Sequence, residues 1–149
     1  MKAQEFLNEY KKINKIIENK LIERDRWRQI ALGATPKTGK DTDKVQSQPN
    51  PQKMADAVVR YVDIEREIDV QIDRLVDRKN DIVSVIEQLP IEEYNVLHMI
   101  YIQDLTKKEI ASDLKMSYSW VKTRHLKGLS GVERILDMRL TRDKSNLMP

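Results

Sequence analysis

The chain has 149 residues, 34% of them charged and 40% hydrophobic, with few Gly and Pro, one Phe and two Trp; this describes one ordinary domain, or a small domain with a long appendage, helical and aliphatic in its core. Cys is absent and the two His, His98 and His125, lie far apart without an HExxH motif, which excludes disulfides, thiolate metal sites and a Cys nucleophile and leaves no metal site to expect. The net charge is +3, and no apolar run approaches the roughly 18 residues of a membrane span.

The N-terminus, "MKAQEFLNEYKK", lacks the apolar core of a signal peptide, so a cytoplasmic protein is expected. Residues 3–32 read as one helix, with Phe6, Tyr10, Ile13, Ile17 and Trp27 on an imperfect stripe. "GATPKTGKDTDKVQSQPNP", residues 33–51, is rich in Pro, Gly and small polar residues and reads as a flexible loop. Its glycines, Gly33 and Gly39, stand one residue too far apart for a phosphate-binding loop, and Asp41 follows Lys40 where Ser or Thr is needed.

Residues 52–88 carry the cleanest periodicity. Met54, Val58, Tyr61, Ile68, Ile72, Leu75, Ile82, Ile86 and Leu89 recur at alternating steps of four and three, interrupted at Glu65 and Lys79. At 1.5 Å per residue this is a rod of roughly 55 Å. Such a rod cannot bury its stripe alone, so it is expected to fold back on the first helix as an antiparallel, coiled-coil-like hairpin, to pair with a second copy, or both.

Pro90 ends the rod and is able to open the next helix at its first position. "IEEYNVLHMIYIQ" follows, with Glu92 and Glu93 in the favoured first turn and Tyr94, Leu97, Ile100 and Tyr101 on the apolar side. "TKKE" then forms a capping box, Thr106 with Glu109, for a helix reaching Leu114. Lys115 and Met116 make a turn, and Ser117 caps a second helix in which Val121, His125 and Leu129 face inward. Two short helices across a tight turn fit a helix-turn-helix, whose second helix enters the major groove N-terminal end first.

The charge pattern agrees. Residues 106–149 hold ten Lys and Arg against five acids, and "KMSYSWVKTRHLKGL", residues 115–129, holds no acid at all. The candidate DNA-binding residues are Ser117, Tyr118, Ser119, Lys122, Thr123, Arg124 and Lys127, donor types suited to base edges and phosphates. Trp120 is expected to pack against the preceding helices, and His125 to be a buried histidine donating to a backbone carbonyl.

The segment "LPIEEYNVLHMIYIQDLTKKEIASDLKMSYSWVKTRHLKGLSGVERIL" resembles region 4 of the sigma-70 family of bacterial sigma factors. The framework that carries the resemblance includes Leu89-Pro90, Val96-Leu97, Leu105-Thr106, Lys108-Glu109-Ile110-Ala111, Leu114, Ser117, Val121-Lys122 and Arg124. The resemblance implies a helical domain that reads promoter DNA and touches RNA polymerase, with Lys122 and Arg124 as DNA contacts. Asp104 and Lys115 depart from it, standing where these domains commonly carry Gly. Nothing upstream resembles the sigma region that melts DNA. The whole layout is similar to small transcription regulators of phages and prophages in Gram-positive bacteria, some of which activate late genes.

The expectation is therefore an all-α chain in three parts. Residues 1–88 form the helical hairpin for dimerisation or partner contact, 89–136 the helix-turn-helix, and 137–149 a tail, frayed over "TRDKSNLMP", residues 141–149. Its partners would be double-stranded DNA, RNA polymerase and a second copy of the chain, with no cofactor and no membrane. No acid–base constellation suggests an enzyme. A small terminase-like packaging protein, or a polymerase-binding adaptor that ignores DNA, are the rival readings.

Overall fold

The structure is a computed structural model describing residues 2–33 and 51–147. The expected loop at 33–51, with its near-miss of a phosphate-binding motif, lies outside the described residues except at its two ends. Every regular element among the described residues is helical, as the composition predicted: α1 (Lys2–Ala31), α2 (Pro51–Ile86), α3 (Ile91–Leu97), a π-helical turn (His98–Ile102), α4 (Lys107–Leu114) and α5 (Tyr118–Asn146). None of these helices is long and apolar enough to cross a membrane.

The chain divides into two compact units, Met1–Asn14 with Asp77–Pro149, and Lys15–Val76. In the second unit the two long helices run antiparallel. Lys20 donates to the Gln71 side chain and Arg24 pairs with Asp69 at 3.0 Å, so residue numbers fall along α2 as they rise along α1. Ile68 of the predicted seam is buried, but Met54 and Val58 are about half exposed. Leu21, Ile22, Val59 and Val62 are exposed as well.

In the first unit, Ala3, Phe6, Leu7 and Ile13 of α1 are buried together with Ile82, Val85 and Ile86 of α2. Leu7, off the predicted stripe, is fully buried. Lys79, which interrupts the seam, places its ammonium 4.8 Å from the centre of the Tyr10 ring, and Arg78 lies 5.1 Å from that of Phe6 while bonding Glu9 at 2.9 Å. Long cationic side chains thus cover aromatic faces that apolar residues would otherwise have to cover. The core continues through Val96, Leu97, Ile110, Val121 and Val132, all fully buried. Removing such side chains from water contributes roughly 1.5–3 kcal/mol each and supplies most of the drive to assemble this unit.

Three details differ from the sequence-based expectation. Pro90 is the cap of α3 rather than its first helical residue, its extended ψ of 150° agreeing with the helix beginning at Ile91. The helix after it does not stay α-helical: Gln103 N–H bonds the His98 carbonyl at 3.0 Å, five residues back, and Leu105 N–H bonds that of Met99 at 2.9 Å. Glu93, Val96 and Leu97 of α3 and Tyr101 of this widened turn face inward, and Tyr94 is half-buried against His98. At the other end α5 runs unbroken to Asn146, so helix covers most of residues 137–149.

Asp104 and Lys115 both adopt left-handed backbone, φ 61° and 55°. This is the physical reason Gly suits these positions, since a Cβ in that region costs about 1–2 kcal/mol. Lys115→Gly is expected to raise stability by roughly 0.5–1 kcal/mol, the relieved strain less the extra entropy of Gly in the unfolded chain. Denaturant unfolding of the two proteins checks it.

Candidate nucleic-acid interface

Local sequence builds the helix-turn-helix. The Thr106 hydroxyl accepts the Glu109 backbone N–H at 3.2 Å, the capping half of the expected box, and donates to the Glu109 carboxylate at 3.2 Å. At the far end of α4, the left-handed Lys115 turns its N–H back to the carbonyls of Ala111 and Ser112, and Met116 N–H reaches the Ala111 carbonyl at 3.0 Å. That turn redirects the chain within two residues. Ser117 then caps α5, its hydroxyl accepting Trp120 N–H at 3.0 Å.

Packing sets the angle between the helices. Val96, Ile110 and Val121 form one buried cluster, with Met99, Ile100, Leu105, Ala111, Leu114 and Trp120 against it. Trp120 packs as the sequence predicted. Gly128 and Leu129 are buried further along α5.

His125 is buried, but its partner corrects the expectation. It meets no backbone carbonyl; its Nε2 shares a 2.8 Å hydrogen bond with the Tyr101 hydroxyl. Burial pushes the tyrosine's pKa up, so the hydroxyl keeps its proton and is able to donate. Burial, helped by the positive charge of Lys107, holds His125 down at about 4. The ring is neutral at pH 7, and its Nδ1 is buried without a partner.

Six of the seven residues singled out as DNA-binding lie on one accessible surface. Ser117, Tyr118, Ser119, Lys122, Thr123 and Lys127 are all exposed, and the first turn of α5 carries no acid. Thr123 donates its hydroxyl to the Ser119 carbonyl at 2.9 Å, which leaves its oxygen free to accept. Lys107, Lys108, Lys115, Lys122 and Lys127 make no ion pair among the described residues.

Arg124, the seventh, stands apart. Its Nη1 lies 3.2 Å from a carboxylate oxygen of Glu92 and 3.2 Å from one of Glu93. Its guanidinium sits 5.4 Å from the centre of the Trp120 ring. Helical spacing had a signal for this, because Arg124 follows Val121 by three and precedes Gly128 by four, on the edge of the buried side. What spacing lacked was the pair of acids on α3.

A tight left-handed turn between two capped helices, an aliphatic cluster fixing their angle, and an acid-free surface at the start of the second are what a protein needs to present a helix to a DNA groove. No curated protein and no solved structure matches the chain. Residues 85–132 match the family model "Sigma-70, region 4", which supports a DNA-binding, regulatory role, and the chain thus contains a helix-turn-helix of the sigma-70 region 4 type.

Proposed function

We propose that this chain is a sequence-specific DNA-binding transcription regulator of the phage or prophage gene-activator type, acting with host RNA polymerase. The start of α5 enters the major groove. Tyr118, Ser119, Lys122 and Thr123 face base edges and neighbouring phosphates, and Ser117 and Lys127 hold the backbone on either side. The protein works in the cytoplasm, binds rather than catalyses, and needs no cofactor. Its long helices supply dimerisation, a reading favoured by the exposed Met54, Val58, Val59 and Val62 of α2.

The observation that carries the proposal is the surface itself: exposed hydroxyls and unpaired lysines, with no acid between Lys115 and Leu129. An ordinary solvated helix face mixes both signs of charge.

Selection of preferred duplexes from a random DNA library, at near-physiological salt, tests it. A compact enriched motif is the expected result, palindromic if the chain dimerises. Engagement of five lysines should give a slope of log affinity on log salt of about −4 to −5, and Lys122→Ala should reduce its magnitude by about 1. No enrichment by a folded protein would sink the regulator. A ring of subunits in light scattering would then favour DNA packaging, and a flat salt response a polymerase-binding adaptor.

A further inference from the structure

We propose that Arg124 does not touch DNA but holds the recognition helix at the angle from which its neighbours do, clamped between Glu92 and Glu93 of α3 and the face of Trp120. The inference rests on the DNA-binding reading above and revises one contact within it.

Glu93 is the buried partner, only 8% exposed. A carboxylate in that position is tolerated when a cation neutralises it, and Arg124 is the cation within ion-pairing distance. The arginine side chain is itself only 25% exposed, and its Nε is buried. Were Arg124 to swing out and grip a base, Glu93 would be left charged, buried and alone. That cost opposes the swing in every complex, whatever the DNA sequence. Lys122 and Lys127 carry no such debt, since both are exposed and unpaired.

The clamp also sits where it has leverage. It joins α5 to a helix 31 residues earlier in the chain, at the position next to Thr123, within the same turns as the residues that face the groove. The guanidinium is planar, and one nitrogen serves both carboxylates while the plane rests near the indole. Such an arrangement limits both rotation and slide of α5 against α3. Base reading requires side chains placed to within fractions of an ångström, whereas phosphate attraction is tolerant of position. Loosening the clamp should therefore cost recognition without costing charge-driven binding.

The test measures Arg124→Ala, Glu93→Ala, their double variant and Lys122→Ala, all folded by circular dichroism, against the preferred and a scrambled duplex over a range of salt. Arg124→Ala is expected to weaken binding to the preferred duplex about tenfold or more, with scrambled-duplex affinity and salt slope unchanged, while Lys122→Ala lowers the slope by about 1. Glu93→Ala should produce the same loss of preference, and the double variant no more than either. A merely stabilising role would leave the preference of the folded protein intact.

The proposal is overturned if Arg124→Ala lowers the salt slope as Lys122→Ala does, relaxes preference at a single base pair, or if Glu93→Ala tightens binding. Should Arg124→Ala not fold, Arg124→Gln serves: loss of a phosphate contact would lower the salt slope by about 1, whereas loss of the clamp lowers the preference and leaves the slope unchanged. A wild-type chain with no preferred duplex overturns the DNA-binding reading instead. Non-additive melting of the Glu93 and Arg124 variants reports the clamp separately.

Discussion

Acidification from pH 6.5 toward pH 4 is expected to remove about 3 kcal/mol of stability from the helix-turn-helix through His125 alone. The unfolded histidine takes up a proton near pH 6.5, while burial holds the folded one at about 4. Between those values the unfolded state binds a proton that the folded state refuses. The contribution is therefore complete above pH 6.5, shrinks as pH falls, and is gone below about 4. The structure gives the reason: the ring is nearly closed off from water, its Nε2 is occupied by the Tyr101 hydroxyl, its Nδ1 has no acceptor to stabilise an imidazolium, and Lys107 is already positive nearby. Denaturant unfolding at pH 7, 6 and 5 measures the effect before carboxylates begin to titrate. In His125→Gln, which preserves a hydrogen-bonding group toward Tyr101, the slope between pH 7 and 5 should flatten. An equal slope in both proteins would mean that His125 protonates freely in the folded state.

The second large effect lies where α3 crosses α5. Leu97 is fully buried, and a Cβ built on Gly128 would stand 2.9 Å from both the Cγ and one Cδ of Leu97. Leu97→Ala should cost about 2–5 kcal/mol, the transfer term plus the cavity left behind. Gly128→Ala, a change that favours an isolated helix, should instead cost about 1–3 kcal/mol, because the body of an enclosed side chain blocks the new methyl group. The two together should cost less than their sum, since the methyl enters the space that Leu97 vacates. Gly131 is the control. There the added carbon would meet a terminal methyl of Leu89 at 2.6 Å, and Leu89, only partly buried, is able to rotate away. Gly131→Ala should fall near neutral. Additive Leu97 and Gly128 effects in thermal unfolding would show that the two positions do not meet.

Much of this protein was legible without its structure. The all-helical class, the bounds of α1 and α2 to within a residue or two, the Thr106 cap and the Ser117 cap all rest on interactions between residues three or four apart. Sequence patterns report such interactions directly, because helical geometry brings those neighbours together in any context. The Gly-like character of positions 104 and 115 was visible as a departure from the family pattern, and it reappears as two left-handed residues.

What the sequence by itself determined, then, was the set of elements, their caps and the acid-free face at 115–129. Tertiary structure alone decided which of those polar side chains look outward. Arg124 and Lys122 are alike as letters, two positions apart, yet one is held by acids on α3 and the other stands in solvent. His125 takes Tyr101 for a partner 24 residues away, and Leu7 joins the core from outside its own stripe. The physical reason is the same in each case. A buried charge, an imidazole nitrogen or an off-stripe leucine is placed by whatever another helix brings against it, and that helix comes from a part of the chain no local pattern reaches.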